Sequence, residues 1–117
     1  MEIKGKLVDI LQQKIYPAVI SFDKGIITDI RGYDPATSEE KTLSFILPGF
    51  IDAHVHIESS MLTPSQFARL AVTHGTIATV SDPHEIANVC GMDGVNFMIA
   101  DGKRAPFYFY FGAPSCV

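Results

Sequence analysis

The stretch LPGFIDAHVHIESS, residues 47–60, decides how this part of the chain folds. A Pro-Gly break precedes an apolar run, and His54 and His56 close that run with one residue between them. In a β-strand, residues i and i+2 point to the same face about 7 Å apart, whereas a helix would separate them. An extended strand therefore lets both imidazoles approach one divalent cation, and His54 and His56 are the predicted metal ligands.

The residues after Pro48 alternate between strand and helix patterns. TPSQFARLAVTHG has Thr63 as its predicted N-cap and Pro64 at the first helical position, and this helix ends at Gly75. TIATVSD reads as a second buried strand, MDGVNFMIADGK as a helix, and PFYFYFGAPS as a third strand. The aromatic run 107–111 of this third strand is predicted to belong to the core. This alternation predicts βαβ units with a parallel sheet and right-handed crossovers.

Residues 47–117 are therefore predicted to be the opening βαβαβ portion of a (β/α)8 barrel, truncated after its third strand. The continuous apolar strands 77–80 and 107–111 require cover on both faces, which three strands and two helices provide only in part. The last strand would also leave an open edge. A self-sufficient three-stranded domain is the alternative.

Residues 1–46 predict a small antiparallel β unit, which makes the overall fold class α/β. KGKLVDIL and AVISFDKGIITDI are rich in β-branched residues, and the second contains the turn sequence Asp-Lys-Gly. Because Gly25 can adopt the positive φ of such a turn, residues 18–22 and 26–30 are predicted to form a hairpin. GYDPATSEEKT follows as a polar loop.

Composition indicates a globular protein without nucleic acid or membrane as a partner. The 117 residues are 47% hydrophobic and 19% charged, and the net charge of −4 is not offset by any basic block. The sequence has no apolar run long enough to span a bilayer and no signal-peptide pattern, so a cytoplasmic location is expected. Cys90 and Cys116 form neither a CxxC motif nor a disulfide framework, which suits a reducing compartment.

A second cluster of ionisable residues follows the second predicted strand, in SDPHEIANVCG. The carboxyl ends of parallel barrel strands meet at one rim, where barrel active sites are built. The predicted rim residues are Asp82, His84 and Glu85 after the second strand, and Glu58 and Ser59 after the first. The alternatives are a solvated loop for the first group, with Asp82-Pro83 as a turn and Glu85 in a first helical turn, and an ordinary Ser-rich turn for the second.

Two other polar residues have structural interpretations. His74 precedes Gly75 at a predicted helix C-terminus, where a histidine interacts favourably with the last carbonyls. Asp52 lies two residues before His54, and it either accepts hydrogen bonds from the neighbouring backbone or supports a metal ligand.

One deaminase class is excluded by its missing motif. HIE, residues 56–58, matches the H-x-E of the zinc nucleobase deaminases that use a cysteine pair. That fold also requires a downstream P-C-x-x-C, which this sequence does not contain.

The combined motifs resemble the amidohydrolase superfamily. GKLVDI, YPAVISFDKGIITDI and LPGFIDAHVHIESSMLTP are similar to its start, where strands of a β-sandwich domain precede the barrel and PGxIDxHxH marks the first barrel strand. HVHIESSMLTPSQFARLAVTHGTIATVSDPHEIANVCG is similar in particular to the adenine deaminase family, as are the shorter strings HIESS, DPHEIANV and PSCV. The resemblance extends over essentially the whole chain.

This resemblance implies hydrolysis of adenine to hypoxanthine and ammonia at a metal centre, with a role in purine salvage. It assigns His54 and His56 to the more buried metal, with Mn or Fe as the associated metal and Zn as another possibility. The remaining ligands and the catalytic Asp are expected beyond residue 117, so the isolated chain is expected to be inactive and its general base cannot be named. Adenine and water are the expected partners, and a homo-oligomer is possible.

Two other functions remain open. Another amidohydrolase, such as a dihydroorotase, a cytosine deaminase or an amino-sugar deacetylase, shares PGxIDxHxH but differs at HIESS and DPHEIANV. A non-catalytic β-rich module with incidental histidines is the second alternative, and metal analysis would distinguish it.

Overall fold

The computed structural model describes residues 1–114, which form two compact units, Met1–Pro48 and a second that begins at Gly49. Cys116 and most of the PSCV string lie outside these residues, whereas Cys90 is an exposed free thiol. Within the described part of the chain, no helix combines the length and apolar character needed to cross a membrane. The assignment of the two units to a β-sandwich domain (1–46) and a barrel domain (47–117) stays a prediction.

The first unit is a four-stranded sheet with the order β3-β2-β1-β4. Its strands are β1 Glu2–Asp9, β2 Lys14–Asp23, β3 Ile26–Gly32 and β4 Phe45–Ile46. The predicted hairpin is confirmed, because β2 and β3 pair antiparallel around a turn in which Lys24 and Gly25 have φ of 48° and 80°. The predicted polar loop contains one helical turn, α1 Thr37–Glu40, and the short β4 pairs parallel to β1.

The register of this sheet separates an apolar face from a polar one. Ile3, Ile20 and Ile30 lie side by side across β1, β2 and β3, as do Glu2, Ser21 and Asp29 one position away. Because successive side chains of a strand point to opposite faces, the alternating sequence produces this separation.

The second unit is a parallel sheet with the order β5-β6-β7. The chain runs through β5 Phe50–Val55, α2 Pro64–Ala71, β6 Thr76–Ser81, α3 His84–Gly102 and β7 Tyr108–Phe111. The predicted strand–helix alternation and parallel pairing are therefore confirmed. The (β/α)8 barrel stays a prediction, because three strands do not close a barrel.

The helices cover one face of this sheet. A Cβ atom placed on Gly102 of α3 would lie 3.1 Å from the Phe109 ring, so that ring packs closely against the helix. Tyr108 and Tyr110 on the opposite face are 67% and 57% exposed, so the prediction that the whole aromatic run is core is wrong. The physical reason is the period of two residues in a strand combined with cover on only one face.

The second predicted buried strand is also covered only in part. Ile77 and Val80 are 45% and 39% exposed, whereas Ala78, Thr79 and Ser81 are buried. The prediction of continuous burial over residues 77–80 is therefore also wrong.

The helices begin and end partly as predicted. Thr63 occupies the N-cap position before Pro64, and after a 3-10 turn Val72–His74 the chain turns at Gly75 with φ of 85°. The second helix was predicted from Met92, but α3 begins at His84 and is interrupted at Gly91, where φ is 58° and ψ is −148°. The additional N-terminal part of α3 carries two of the predicted rim residues.

Candidate metal centre

The two histidines of the HxH motif converge. His54 lies on β5 and His56 follows the end of that strand. Their Nε2 atoms are 3.1 Å apart, and the ring planes are at 83° to each other. The i, i+2 spacing on an extended strand therefore brings both nitrogens to one point, as the sequence predicted, while their role as metal ligands stays a prediction.

The backbone of the next strand orients the His56 ring. His56 Nδ1 lies 3.0 Å from the carbonyl oxygen of Asp82. Since a carbonyl can only accept a hydrogen bond, Nδ1 carries the proton and Nε2 presents a lone pair toward His54. Histidines that bind metals are typically held in this way by a hydrogen bond from the other ring nitrogen. Sequence reasoning selected the Asp82 side chain, but no sequence signal identifies its carbonyl as this partner.

The spacing of the two nitrogens fits one cation. Two metal–nitrogen bonds of about 2.1 Å, at an angle between about 90° and 110°, place the nitrogens about 3.0–3.4 Å apart. The observed separation of 3.1 Å lies within that interval.

Asp52 contacts the backbone rather than either ring. Its Oδ1 accepts a hydrogen bond from the backbone N–H of His54 at 3.1 Å. The first of its two sequence interpretations, hydrogen bonding to the neighbouring backbone, is therefore confirmed. This bond helps to fix the backbone that carries His54.

The residues at the start of α3 approach the same point. The His84 and His56 rings have centroids 4.7 Å apart. Ligand atoms of His56, His84 and Glu85 all lie within 4.8 Å of one another. The structure therefore brings the ends of β5 and β6 together, as expected for neighbouring parallel strands.

Glu58 and Ser59 connect the first rim segment to the second. The Ser59 hydroxyl donates a hydrogen bond to Glu85 Oε1 at 2.5 Å, and Glu58 Oε1 accepts one from the backbone N–H of Ile86 at 3.4 Å. These contacts place all five predicted rim residues in one neighbourhood.

Comparisons with known proteins identify the family of this chain. A family model described as the amidohydrolase family matches residues 45–117. This chain belongs to the amidohydrolase family.

Curated relatives match nearly the whole chain. It is 57% identical over 116 residues to "Adenine deaminase" of Borreliella afzelii (strain PKo), which covers 99% of this chain and 20% of that protein. It is 56% identical over 117 residues to the protein of that name from Sulfurovum sp. (strain NBC37-1), covering 100% and 21%. With "Adenine deaminase" of Salinibacter ruber (strain DSM 13855 / M31) the identity is 60% over 116 residues, covering 98% and 20%. The chain thus spans about one-fifth of the length of these relatives.

Unpaired polar atoms test whether the rim of this amidohydrolase fits a cation. Within residues 1–114, Glu58 Oε2, Asp82 Oδ1 and His84 Nδ1 are buried and have no hydrogen-bond partner. His84 Nδ1 lies 3.3 Å from Asp82 Oδ2, at ion-pair distance but without hydrogen-bond alignment. Burying polar atoms without partners is costly unless a ligand or solvent satisfies them. Imidazoles and carboxylates are suitable donors for a divalent transition metal.

Proposed function

We propose that this chain contributes part of the metal centre of an adenine deaminase, which hydrolyses adenine to hypoxanthine and ammonia and serves purine salvage. The observation that carries this proposal is the 56–60% identity over nearly all of the chain to three proteins named adenine deaminase. The converging Nε2 atoms of His54 and His56 support the metal-dependent part of it.

The residues of this chain would bind and orient the reacting groups. His54 and His56 would hold the metal through their Nε2 atoms, and the hydrogen bond to the Asp82 carbonyl would orient the His56 ring. When bound, a divalent cation supplies Lewis-acid activation of water near neutral pH. Hydrolysis exchanges the bond from purine C6 to its amino nitrogen for a bond to oxygen, and a general base elsewhere in the full protein would move the protons.

The finer assignments also belong to this proposal. Mn or Fe is the proposed metal, with Zn as the next choice, and the purine base and water are the small-molecule partners. Neither nucleic acid nor a membrane is a proposed partner, a homo-oligomer is possible, and the proposed location is the cytoplasm. The proposed active-site rim consists of Asp82, His84, Glu85, Glu58 and Ser59.

A hybrid enzyme tests the activity. These 117 residues replace the corresponding N-terminal fifth of Borreliella afzelii adenine deaminase, and conversion of adenine to hypoxanthine is followed by ultraviolet absorbance. We expect the hybrid to turn over adenine. His54→Ala and His56→Ala should each lower kcat/KM by at least about 100-fold, because losing a residue that only orients a ligand already lowers activity by about 10–100-fold. His74→Ala, an exposed histidine in the turn after α2, is the control and should keep full activity.

Three results would contradict the proposal. A folded hybrid that hydrolyses dihydroorotate, cytosine or an acetylated amino sugar but not adenine indicates another amidohydrolase. A folded hybrid that retains no transition metal indicates the non-catalytic module. Full activity in both histidine variants removes the assigned ligands.

A further inference from the structure

Three imidazoles form a continuous row at the ends of β5 and β6. The His56 ring lies between the other two, with centroid separations of 4.8 Å to His54 and 4.7 Å to His84. Both contacts are edge-to-face, with ring planes at 83° and 80°. The HxH motif accounts for only two of these rings, since His84 comes from the N-terminal part of α3.

Glu85 adds a carboxylate to this row. Ligand atoms of His56, His84 and Glu85 lie within 4.8 Å of one another. Ligands on opposite sides of an octahedral cation are about 4.2 Å apart, and adjacent tetrahedral ligands are about 3.4 Å apart. Small side-chain rotations would therefore bring the three groups to ligand distances from a single cation.

Asp82 lies beside both rings of this group. Its backbone carbonyl accepts a hydrogen bond from His56 Nδ1, and its carboxylate lies 3.3 Å from His84 Nδ1. Carbonyl and carboxylate groups beside the non-ligating nitrogen are the usual way in which metal-binding histidines are oriented. The hydrogen bond leaves Nε2 as the ligand atom of His56, whereas His84 Nδ1 has no hydrogen-bond partner, so either ring nitrogen of His84 can serve as the ligand.

Ser59 supports the carboxylate in the same manner. Its hydroxyl donates to Glu85 Oε1, so one oxygen is held while the carboxylate has a second oxygen to offer. The His84 and Asp82 side chains are 27% and 22% exposed, so solvent can reach the site.

The local charge also favours a cation. Glu58, Asp82 and Glu85 lie together, and no lysine or arginine forms an ion pair with any of them in the part of the chain that the structure describes. Unpaired buried oxygens on Glu58 and Asp82 increase the cost of leaving this cluster without a positive partner.

We propose that His84 and Glu85 join His56 as ligands, so that this chain binds one divalent transition-metal ion from the ends of both β5 and β6. The inference rests on the metal centre proposed above and adds two ligands that the HxH motif does not contain. His54, whose Nε2 lies 3.1 Å from that of His56, remains the proposed ligand on β5. Two or three imidazoles with one carboxylate form a donor set that suits Zn, Mn or Fe better than Ca or Mg.

Titration with Co²⁺ tests these ligands without measuring catalysis. Visible absorption of Co²⁺ reports its ligands, and calorimetry reports its affinity for the 117-residue chain and for the hybrid. We expect one Co²⁺ per 117-residue chain, and at least a tenfold loss of affinity at this site in both His84→Ala and Glu85→Gln. Glu85→Gln keeps an oxygen that can accept the Ser59 hydrogen bond, so it isolates the loss of the charged ligand, and His74→Ala is the matched histidine control.

Melting temperatures separate a ligand role from a structural one. Because a cation that binds only the folded state raises the melting temperature, each variant is melted with and without Co²⁺. A ligand variant should keep the metal-free melting temperature and lose most of the increase caused by Co²⁺. A variant that melts lower without metal but binds Co²⁺ normally would overturn the inference.

The remaining outcomes distinguish this inference from the proposed function. Normal Co²⁺ binding in His84→Ala and Glu85→Gln, with loss in His54→Ala and His56→Ala, would overturn the inference and leave the HxH site. Normal binding in all four variants would overturn both metal assignments. A hybrid that binds Co²⁺ at these residues but fails to deaminate adenine would contradict only the proposed function.

Discussion

At the scale of single residues, Asp101 shows how a distant side chain completes a local structure. Thr63 occupies the N-cap position of α2, but its side chain makes no capping hydrogen bond. Instead, the backbone N–H of Ser65 donates to Asp101 Oδ2 at 2.7 Å, across 36 residues of sequence. Asp101 is only 6% exposed, and this N–H bond lowers the pKa of its carboxyl below the usual value, with smaller contributions from Ser65 and Thr63 hydroxyls and from Arg104.

Replacing this carboxylate should destabilise the chain. We expect Asp101→Asn to lower the free energy of unfolding by about 1–2 kcal/mol at pH 7, because a charge-assisted helix cap becomes a neutral one. Urea denaturation measures this difference. Asp93→Asn, an exposed carboxylate on the same helix, should change stability by less than about 0.5 kcal/mol.

The effect of Asp101 should depend on pH in a defined direction. A carboxyl whose pKa is lower in the folded state stabilises that state above its unfolded pKa, near about 4. This stabilisation is lost as pH falls through the lower folded pKa. The difference between wild type and Asp101→Asn should therefore shrink below about pH 4, and a difference that grows in acid would show that the carboxylate is not the capping group.

At the scale of secondary-structure elements, a glycine allows β4 to pair with β1. Lys6 N–H donates to the Ser44 carbonyl at 2.9 Å, and a Cβ on Gly5 would lie 2.6 Å from that same oxygen. Gly32 of β3 is a comparable position. Gly5 and Gly32 both pair with Ala18 of the central strand β2, one from each side. A Cβ on Gly32 would meet nothing closer than 3.7 Å.

These two glycines make a matched pair of variants. We expect Gly5→Ala to cost about 1–3 kcal/mol of unfolding free energy, because backbone atoms must move apart, and Gly32→Ala to cost less than about 0.5 kcal/mol. Chemical denaturation measures both values, and hydrogen exchange at the Lys6 amide reports loss of the β1–β4 pairing. Equal losses of unfolding free energy in the two variants would mean that the β1–β4 pairing does not require a glycine at position 5.

The start of α3 shows where element prediction failed. The sequence predicts a helix that begins at Met92. In the structure α3 begins at His84, and Gly91 separates these first turns from the predicted part. The first turn of α3 contacts Glu58 and Ser59 of another segment. Contacts of this kind are not visible in a local pattern, and the sequence therefore placed the start of this helix at Met92.

At the scale of the whole molecule, this chain carries only part of the proposed active site. It spans about one-fifth of the length of its adenine deaminase relatives. It supplies the metal-ligand candidates on β5 and at the start of α3, but the resemblance implies that the other ligands and the catalytic Asp lie further along the full protein. The isolated chain should therefore bind a metal but turn over substrate poorly.

We expect the isolated chain to bind Co²⁺ but to deaminate adenine at least about 1,000-fold more slowly than the hybrid, because a missing general base alone costs about 10²–10⁴-fold. Product formation by liquid chromatography measures both rates at equal metal loading. Comparable rates would show that these 117 residues contain the complete catalytic machinery.

The sequence by itself determined the features that depend on near neighbours in the chain. The hairpin at Gly25, the strand–helix alternation after Pro48 and the convergence of His54 and His56 each follow from spacing and residue type. Only the tertiary structure decided that the Asp82 carbonyl orients His56 and that Ser59 holds Glu85, each across 26 residues. It also decided which face of each strand is covered. Such contacts depend on strand order and helix placement, which bring together residues that no local pattern relates.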